Sequence, residues 1–184
     1  LGQGTGKLTH LQTTAHGVDI ATTQARIQLR VYGPGVIRVR VVKDTFPADF
    51  SYAVTEKPTG AFTLVARTAD SVTLRTDSME IVVHKNPLRL DFYNSRGAWL
   101  TGDAPGLGVR WLGNKVMSYQ RMTPWERFIG LGEKTGNLDK RGSSYVNWNE
   151  DNYGYSTDTD ALYSTLPLFS GIHDRRVYGL FFEN

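Results

Sequence analysis

One segment in the C-terminal part of the sequence carries the mixture of side chains that a sugar-binding site uses. The run Tyr145–Tyr155 (YVNWNEDNYGY) interleaves aromatic residues with asparagine and acidic residues. Aromatic rings pack against the C–H faces of sugar rings, while carboxylate and amide groups hydrogen-bond neighbouring hydroxyls. By composition alone the segment is equally compatible with a sugar subsite and with a solvated loop anchored in a core by Trp148.

Two other chemistries are disfavoured by spacing. The acidic residues Asp151, Asp158 and Asp160 lack the regular alternation and the closing bidentate Glu of a calcium loop, so we expect no metal ion there. The glycine-rich run Gly130–Gly136 has Glu133 before its lysine, where a phosphate loop needs glycine. That run is better explained as a tight turn between strands.

The residues that could act as a catalytic acid or base in this chain are spread along the sequence. Hydrolysis of a glycoside needs two carboxyl groups about 5 to 10 Å apart, and the spacing of the acidic residues does not require any pair to converge. Sugar epimerisation of the mutarotase kind needs a histidine and a carboxylate across one cleft, for which His84 and His173 are the candidates. Isolated histidines more commonly lie on the surface or in hydrogen-bonded core positions. The carboxyl groups considered for hydrolysis are Glu133, Asp139, Glu150, Asp151 and Glu183.

Composition narrows the class of protein. The 184 residues are 40% hydrophobic and 21% charged, which predicts one folded domain spanning residues 1–184. The net charge of +3 comes from scattered basic residues, so we expect no nucleic-acid partner. The absence of cysteine excludes disulfides, thiolate catalysis and cysteine-ligated zinc. No apolar run approaches the roughly 18 residues of a membrane span, and we expect no membrane partner.

The elements that position these residues follow a period of two. Apolar residues alternate with polar ones over Ala25–Val31 and Ile37–Val41, and the Gly33–Gly35 turn joins them into a hairpin. Similar short stripes recur, which predicts an all-β fold, an antiparallel β-sandwich with long irregular loops. The only helical turn expected lies near Asp158 to Tyr163. The predicted inward-facing residues are Ile27, Leu29, Ile37, Val39, Leu64, Leu74, Ile81, Leu90 and Phe92.

Beyond these patterns, the second half of the chain resembles family 31 glycoside hydrolases. Gly132–Gly142 (GEKTGNLDKRG) is similar to that family's GEKTGPLDRRG stretch, and Trp148–Asp151 (WNED) to its WNTD element. Asp160–Leu168 resembles DPLYKSIPF, and the terminal Tyr178–Asn184 resembles YGIFFDN. The order of the motifs makes the match specific, whereas the first hundred residues match the family only loosely.

The resemblance implies a galactose mutarotase-like sandwich that packs against a catalytic (β/α)8 barrel, expected after residue 184. The family's catalytic aspartates belong to that barrel, and its W-x-D-M-N motif is absent here, so the resemblance implies no catalytic residue in this chain. A loop of the N-terminal domain reaches over the barrel mouth in the family. Asp151 is therefore expected to accept hydrogen bonds from sugar hydroxyls, with Asn149 and Tyr153 as further substrate-binding residues. No cofactor is expected.

The resemblance leaves the substrate between an α-glucoside and an α-xyloside, because Glu150 replaces the family's common Thr. The residues Tyr153–Tyr155 and Asp160–Tyr163 are more similar to the α-glucosidase branch, which we prefer. The resemblance to the family also favours an exported enzyme, either periplasmic or extracellular. Two alternatives remain: a free-standing carbohydrate-binding module, and the mutarotase-like epimerase.

Overall fold

The computed structural model describes residues 2–183, and these contain antiparallel β-strands and no α-helix. No helix in this part of the chain could therefore cross a membrane. The strands are β1 Gln3–Gly4, β2 Leu8–Thr14, β3 Gly17–Thr22, β4 Arg26–Gly33, β5 Val36–Val42, β6 Thr63–Arg67, β7 Ser71–Arg75, β8 Met79–Lys85, β9 Leu88–Asn94, β10 Trp99–Gly102, β11 Val109–Leu112, β12 Lys115–Ser118, β13 Arg127–Gly132, β14 Thr165–His173 and β15 Arg176–Phe181.

The chain divides into two compact units, an N-terminal unit Leu1–Arg121 and a C-terminal unit Met122–Asn184. Three sheets make up the N-terminal unit: a four-stranded sheet in the order β2-β3-β4-β5, a five-stranded sheet β10-β9-β8-β7-β6, and a small sheet β1-β11-β12. Every paired strand in them is antiparallel. The expected all-β antiparallel fold is confirmed.

The core of the N-terminal unit lies between its two larger sheets, which makes it a sandwich. Ile27 and Leu29 from β4 lie in the same buried cluster as Leu74 and Ile81 from β7 and β8. Eight of the nine predicted inward-facing residues are confirmed. Ile27, Leu29, Leu74, Ile81 and Leu90 are buried, and Ile37, Leu64 and Phe92 are partly buried against the same core. The exception is Val39.

Val39 is 36% exposed, so its assignment to the core was wrong. It pairs with the buried Leu29 across the β4–β5 hairpin. However, β5 is the edge strand of its sheet. Twist carries an edge strand away from the facing sheet, so alternation there does not guarantee burial.

A long loop, residues 43–62, joins β5 to β6 without regular structure. Asp49 holds its first half, because its carboxylate accepts a hydrogen bond from Arg38 Nη1 at 2.9 Å and lies 3.6 Å from Arg40 Nη1. Gly60 holds its end by donating its backbone N–H to Val31 O at 2.9 Å. A side chain at Gly60 would collide with Val31, so the close approach needs glycine.

The C-terminal unit contains one three-stranded sheet in the order β13-β14-β15. On one of its faces, Phe128 and Phe169 meet edge to face at 5.5 Å between ring centroids. Gly171 lies opposite Tyr178, and a Cβ on Gly171 would be 2.2 Å from the tyrosine ring. This face is therefore closely packed by aromatic rings over a glycine.

The expected helical turn near Asp158 to Tyr163 is absent. Turn residues precede Asp160, and Leu162 forms an isolated parallel bridge with Asn149. The reason is local hydrogen bonding: Thr159 Oγ1 accepts the backbone N–H of Ser156 at 3.0 Å, and the Ser156 hydroxyl accepts that of Asp158 at 3.3 Å. Side chains that bond nearby backbone in this way compete with helix formation.

Candidate sugar-contact loop

All three sequence-predicted site residues lie on one loop, residues 133–164, which connects β13 to β14. Its two ends are close together, because Gly132 pairs with Thr165 and Glu133 donates its backbone N–H to Ser164 O at 2.7 Å. Between these ends the chain forms turns and no strand. A loop of this length without regular structure is typical of a functional segment.

A buried lysine holds the two halves of this loop together. The Lys134 side chain is 0% exposed, and its Nζ donates to Val146 O at 2.5 Å and to both the backbone and the carboxylate oxygens of Asp160 at 3.2 Å. The other carboxylate oxygen of Asp160 accepts the Val146 backbone N–H at 2.6 Å. Since a buried ammonium is tolerated only when paired and hydrogen-bonded, this clamp fixes the loop's path.

Sequence reasoning missed the Lys134–Asp160 clamp. It assigned the glycine-rich run Gly130–Gly136 to a tight turn and matched Gly132–Gly142 to a motif of the family it resembles, but it gave Lys134 no role. The one local signal was a lysine in a glycine-rich turn, because such a residue either projects into solvent or is buried with acceptors around it. Its partner Asp160, 26 residues away, has no local signal.

Asn149 already has a structural partner. Its Oδ1 accepts the backbone N–H of Thr165 at 2.7 Å, at the base of the loop. The next residue, Glu150, donates its N–H to Leu162 O at 2.9 Å, and Leu162 is buried. Asn149 therefore positions the segment that follows it, and its amide N–H groups remain for a ligand.

Asp151 and Tyr153 project from the positioned part of the loop. Both are exposed, Tyr153 at 98%, and neither side chain hydrogen-bonds to a residue that the structure describes. The backbone between them is held, because Tyr163 donates its hydroxyl to Asn152 O at 3.0 Å. The Asp151 carboxyl group thus lies on a positioned backbone segment with its full hydrogen-bonding capacity facing solvent.

Trp148 is 65% exposed, so it does not anchor the loop in a core as the solvated-loop interpretation required. The aromatic contacts in this region are weak and peripheral: Tyr155 and Tyr163 meet edge to face at 6.4 Å. The Lys134–Asp160 clamp and the strand pairing between Gly132 and Thr165 position the loop. The large aromatic residues lie on its surface.

One of the carboxyl groups considered from sequence for hydrolysis, Asp139, has a structural role. Asp139 is occupied, since its Oδ1 accepts the backbone N–H groups of Phe128 at 3.0 Å and Arg141 at 3.1 Å. These backbone hydrogen bonds, with the nearby Arg127 guanidinium, hold the pKa of the Asp139 carboxyl below its usual value of 3.8. A carboxylate with a lowered pKa is suited to structure and unsuited to general-acid chemistry.

A buried carboxylate, which the sequence reasoning did not consider, is also structural. Glu126 is fully buried, and its two carboxylate oxygens accept the Tyr178 hydroxyl at 2.6 Å and the Thr123 backbone N–H at 2.7 Å. Arg141 Nη1 donates to the carbonyl oxygens of Thr123 and Glu126 at 2.9 and 2.6 Å. These hydrogen bonds fix Glu126 and the backbone immediately before β13.

Beside the loop lies a shallow cavity of about 390 Å³, lined by its glycine-rich start and by Lys134, Asn137, Leu138 and Lys140. The ammonium of Lys140 is held by Thr135 O at 3.1 Å and lies over the Tyr145 ring at 5.2 Å. Both lysines lining the cavity are therefore engaged by the protein, and the cavity offers few free charged groups to a ligand.

Each of the two histidines considered for epimerase chemistry lies within hydrogen-bond distance of a neighbouring aspartate. His84 Nε2 lies 2.8 Å from Asp91 Oδ2, and Trp99 Nε1 donates to Asp91 Oδ1 at 3.0 Å. His173 is buried, with Nδ1 3.2 Å from Asp174 Oδ2. Neither histidine lines the 390 Å³ cavity. Within residues 2–183, no three His, Asp or Glu side chains are grouped so as to hold a metal ion.

Comparison with known proteins identifies the family. Residues 26–184 match the family described as the glycosyl hydrolase 31 N-terminal galactose mutarotase-like domain, and the chain belongs to that family.

Individual relatives agree with this assignment. The chain is 29% identical over 182 residues to alpha-glucosidase 2 of Bacillus thermoamyloliquefaciens, a match that covers 97% of this chain and 23% of the relative. It is 38% identical over 79 residues to an alpha-glucosidase of Saccharolobus solfataricus, covering 43% of this chain and 11% of that protein.

Among solved structures, a Flavobacterium johnsoniae family 31 dextranase complexed with isomaltotriose superposes with a TM-score of 0.87 at 27% identity. That match covers 99% of this chain and 23% of the dextranase. The chain thus spans about a quarter of the length of these enzymes.

Proposed function

We propose that this chain is the N-terminal domain of a longer retaining α-glycosidase and that it supplies the 133–164 loop to the sugar site. The observation that carries the proposal is the exposed Asp151 carboxylate on a loop clamped by a buried lysine. A ligand-binding group is most effective when the protein has already fixed its position, because less conformational entropy is lost on binding.

The proposed contact is a charge-assisted hydrogen bond from a sugar hydroxyl to Asp151. Such bonds contribute about 1.5 to 3 kcal/mol once water is excluded from them. Tyr153 would offer its ring face to the same sugar, and Asn149 would offer an amide N–H. The nucleophile and the acid of the reaction would come from a (β/α)8 barrel in the longer protein, so this chain alone is not expected to cleave a glycoside.

The proposed partner surface for that barrel is the second face of the C-terminal sheet. Strand register places Leu168 opposite Phe181, and the alternation of β14 puts Leu166 on the same face. These three side chains, with Val177 and Ile129, are all exposed. A continuous apolar surface of this kind indicates a covering partner, and contacts between domains of one protein commonly supply it.

An α-glucoside is the preferred substrate class. The relatives named as alpha-glucosidases and the dextranase complexed with isomaltotriose support it. An α-xyloside is the alternative within the same reaction type.

The test of this function is substitution of Asp151 in the longer enzyme. Asp151→Asn keeps the shape and removes the charge, and Asp151→Ala removes both. We expect kcat/KM for an aryl α-glucoside to fall by about ten- to a hundredfold, because each 1.4 kcal/mol of transition-state stabilisation corresponds to about tenfold. The melting temperature should stay unchanged, since the exposed side chain hydrogen-bonds to no described residue.

Asp158→Ala is the matched control, because Asp158 is an exposed carboxylate on the same loop whose side chain has no hydrogen-bond partner among the described residues. It should leave kcat/KM near the parent value. If Asp151→Ala lowers the melting temperature but turns over as fast as Asp158→Ala, Asp151 supports the loop and does not contact sugar.

A further inference from the structure

A second cavity, of about 260 Å³, lies in the N-terminal unit on the outer face of the four-stranded sheet. Two cross-strand rows form its floor. One row runs Gln12, Asp19, Gln28, with each residue directly opposite the next in the strand register. The other row places Ala21 between His10 and Arg26. The small alanine between two long side chains accounts for the depression.

The floor carries hydrogen-bonding capacity that the protein leaves unused. Asp19 Oδ1 accepts from Arg30 Nη2 at 2.5 Å, and Gln28 Oε1 accepts from Arg40 Nη1 at 3.2 Å. Among residues 2–183, the second oxygen of Asp19, the amide N–H groups of Gln28 and the whole side-chain amide of Gln12 have no partner. Two donor-bearing amides thus flank an anchored carboxylate in one row.

An aromatic ring forms the wall of the cavity. Phe46 lines it from the start of the 43–62 loop, and the Arg40 guanidinium lies 5.0 Å from the ring centroid. Arg40 also donates to Pro47 O at 3.2 Å, so the segment that carries Phe46 is fixed to the sheet. An aromatic ring on a fixed segment, beside planar polar groups, is a combination suited to pyranose recognition.

We propose that this cavity is a second, non-catalytic binding site for one pyranose ring of a neutral α-glucan. Its volume lies just below the range of pockets for drug-sized ligands, which restricts the ligand to about one sugar ring. The choice of a glucan rests on the proposed function. The site itself rests on the two rows and Phe46, and it lies in a different unit from Asp151.

The test is titration of this chain with isomaltotriose, followed by amide chemical shifts in ¹H–¹⁵N spectra. We expect saturable shifts confined to β2, β3, β4 and Phe46, with a dissociation constant of about 1 to 10 mM, as for small contacts with few buried atoms. Phe46→Ala should weaken binding about two- to tenfold, the range that aromatic contacts contribute. Equimolar glycerol, which has hydroxyls but no ring face, should not reproduce the shifts.

Two further variants keep the test decisive. Gln12→Ala changes an exposed side chain without a described partner, so it cannot unfold the sheet and should weaken binding at least twofold. Tyr52→Ala is the matched aromatic control, since Tyr52 is 94% exposed on the same loop and does not line the cavity. The proposal is overturned if no saturation occurs by about 50 mM, or if Tyr52→Ala weakens binding as much as Phe46→Ala.

The same titration separates this proposal from the proposed function. Asp151→Ala should leave the β2–β4 shifts intact. Shifts confined to residues 145–163 would overturn the second site while agreeing with the catalytic-loop proposal.

Discussion

Asn149 and Asp151 are two residues apart on one loop, yet the fold uses them differently. Asn149 Oδ1 accepts a hydrogen bond from the Thr165 backbone N–H, whereas the Asp151 carboxylate has no described partner. Sequence reasoning placed Asp151 first and Asn149 as a further, weaker substrate-binding residue, because both belong to the WNED element that resembles the family. The hydrogen bond of Asn149 depends on where β14 begins, and this tertiary fact has no local signal in the sequence.

Asp139 shows the same kind of commitment in a carboxylate, and its lowered pKa leads to a pH dependence. The folded pKa lies below the usual 3.8 because backbone N–H groups stabilise the charged form. A group with a lowered folded pKa stabilises the fold fully above its unfolded pKa. That contribution disappears as the pH falls through the folded value.

We therefore expect Asp139→Asn to melt at a lower temperature than the parent chain at pH 7, with the difference closing below about pH 4. Asparagine keeps one oxygen for the two backbone donors but loses the charge and the Oδ2 acceptor to which Arg127 Nη1 donates at 3.1 Å. Melting curves collected between about pH 7 and pH 3 would show this. Asp70→Asn, at an exposed carboxylate with no described side-chain partner, serves as control. A difference that stays constant across the pH range would show that the charge of Asp139 is not the stabilising feature.

At the scale of elements, the alternating strands were predictable and the long loops were not. The β4–β5 hairpin follows from a period of two around a Gly-Pro-Gly turn, and the buried Ile27 and Leu29 confirm it. Val39 failed because alternation reports which face a residue is on, while burial also depends on what covers that face. The course of the 133–164 loop depends on Lys134 reaching Asp160, 26 residues away. Such a contact is invisible to a local pattern.

The clamp makes a specific prediction about this loop. Lys134→Met keeps the length of the buried chain but removes its hydrogen bonds to Val146 and Asp160. We expect a loss of about 2 to 3 kcal/mol in the free energy of unfolding. Amide hydrogen exchange at Val146 should accelerate, because Asp160 would lose the partner that orients it.

Lys140→Met is the comparison for that variant, since the Lys140 ammonium donates to one backbone carbonyl on the same loop. It should cost about 1 kcal/mol or less. Equal losses for the two lysines in urea unfolding would contradict the assignment of Lys134 as the main clamp.

At the scale of the whole molecule, the exposed apolar face of the β13–β15 sheet governs behaviour in solution. We expect this chain to self-associate weakly, because the face has no cover within the described residues. Replacing the cross-strand pair Leu168 and Phe181 with threonine keeps β-propensity and removes apolar area. The double variant should sediment as a monomer at concentrations where the parent does not.

Val36→Thr with Leu112→Thr is the control, since both residues are exposed in the N-terminal unit at 60% and 61%. It should leave the association of the parent chain unchanged. If this control abolishes association as effectively, the surface responsible is elsewhere.

The irregular 43–62 loop is where we expect a protease to cut the folded chain. Its two ends are tied to the four-stranded sheet through Asp49 and Gly60, while Phe50 and Tyr52 between them are 68% and 94% exposed. Chymotrypsin cleaves after such aromatic residues in accessible, irregular backbone. The cut leaves the four-stranded sheet in the N-terminal fragment, while Gly60 of the C-terminal fragment keeps its hydrogen bond to Val31 of that sheet. The nicked protein should run as two bands in a denaturing gel and elute as one species under native conditions.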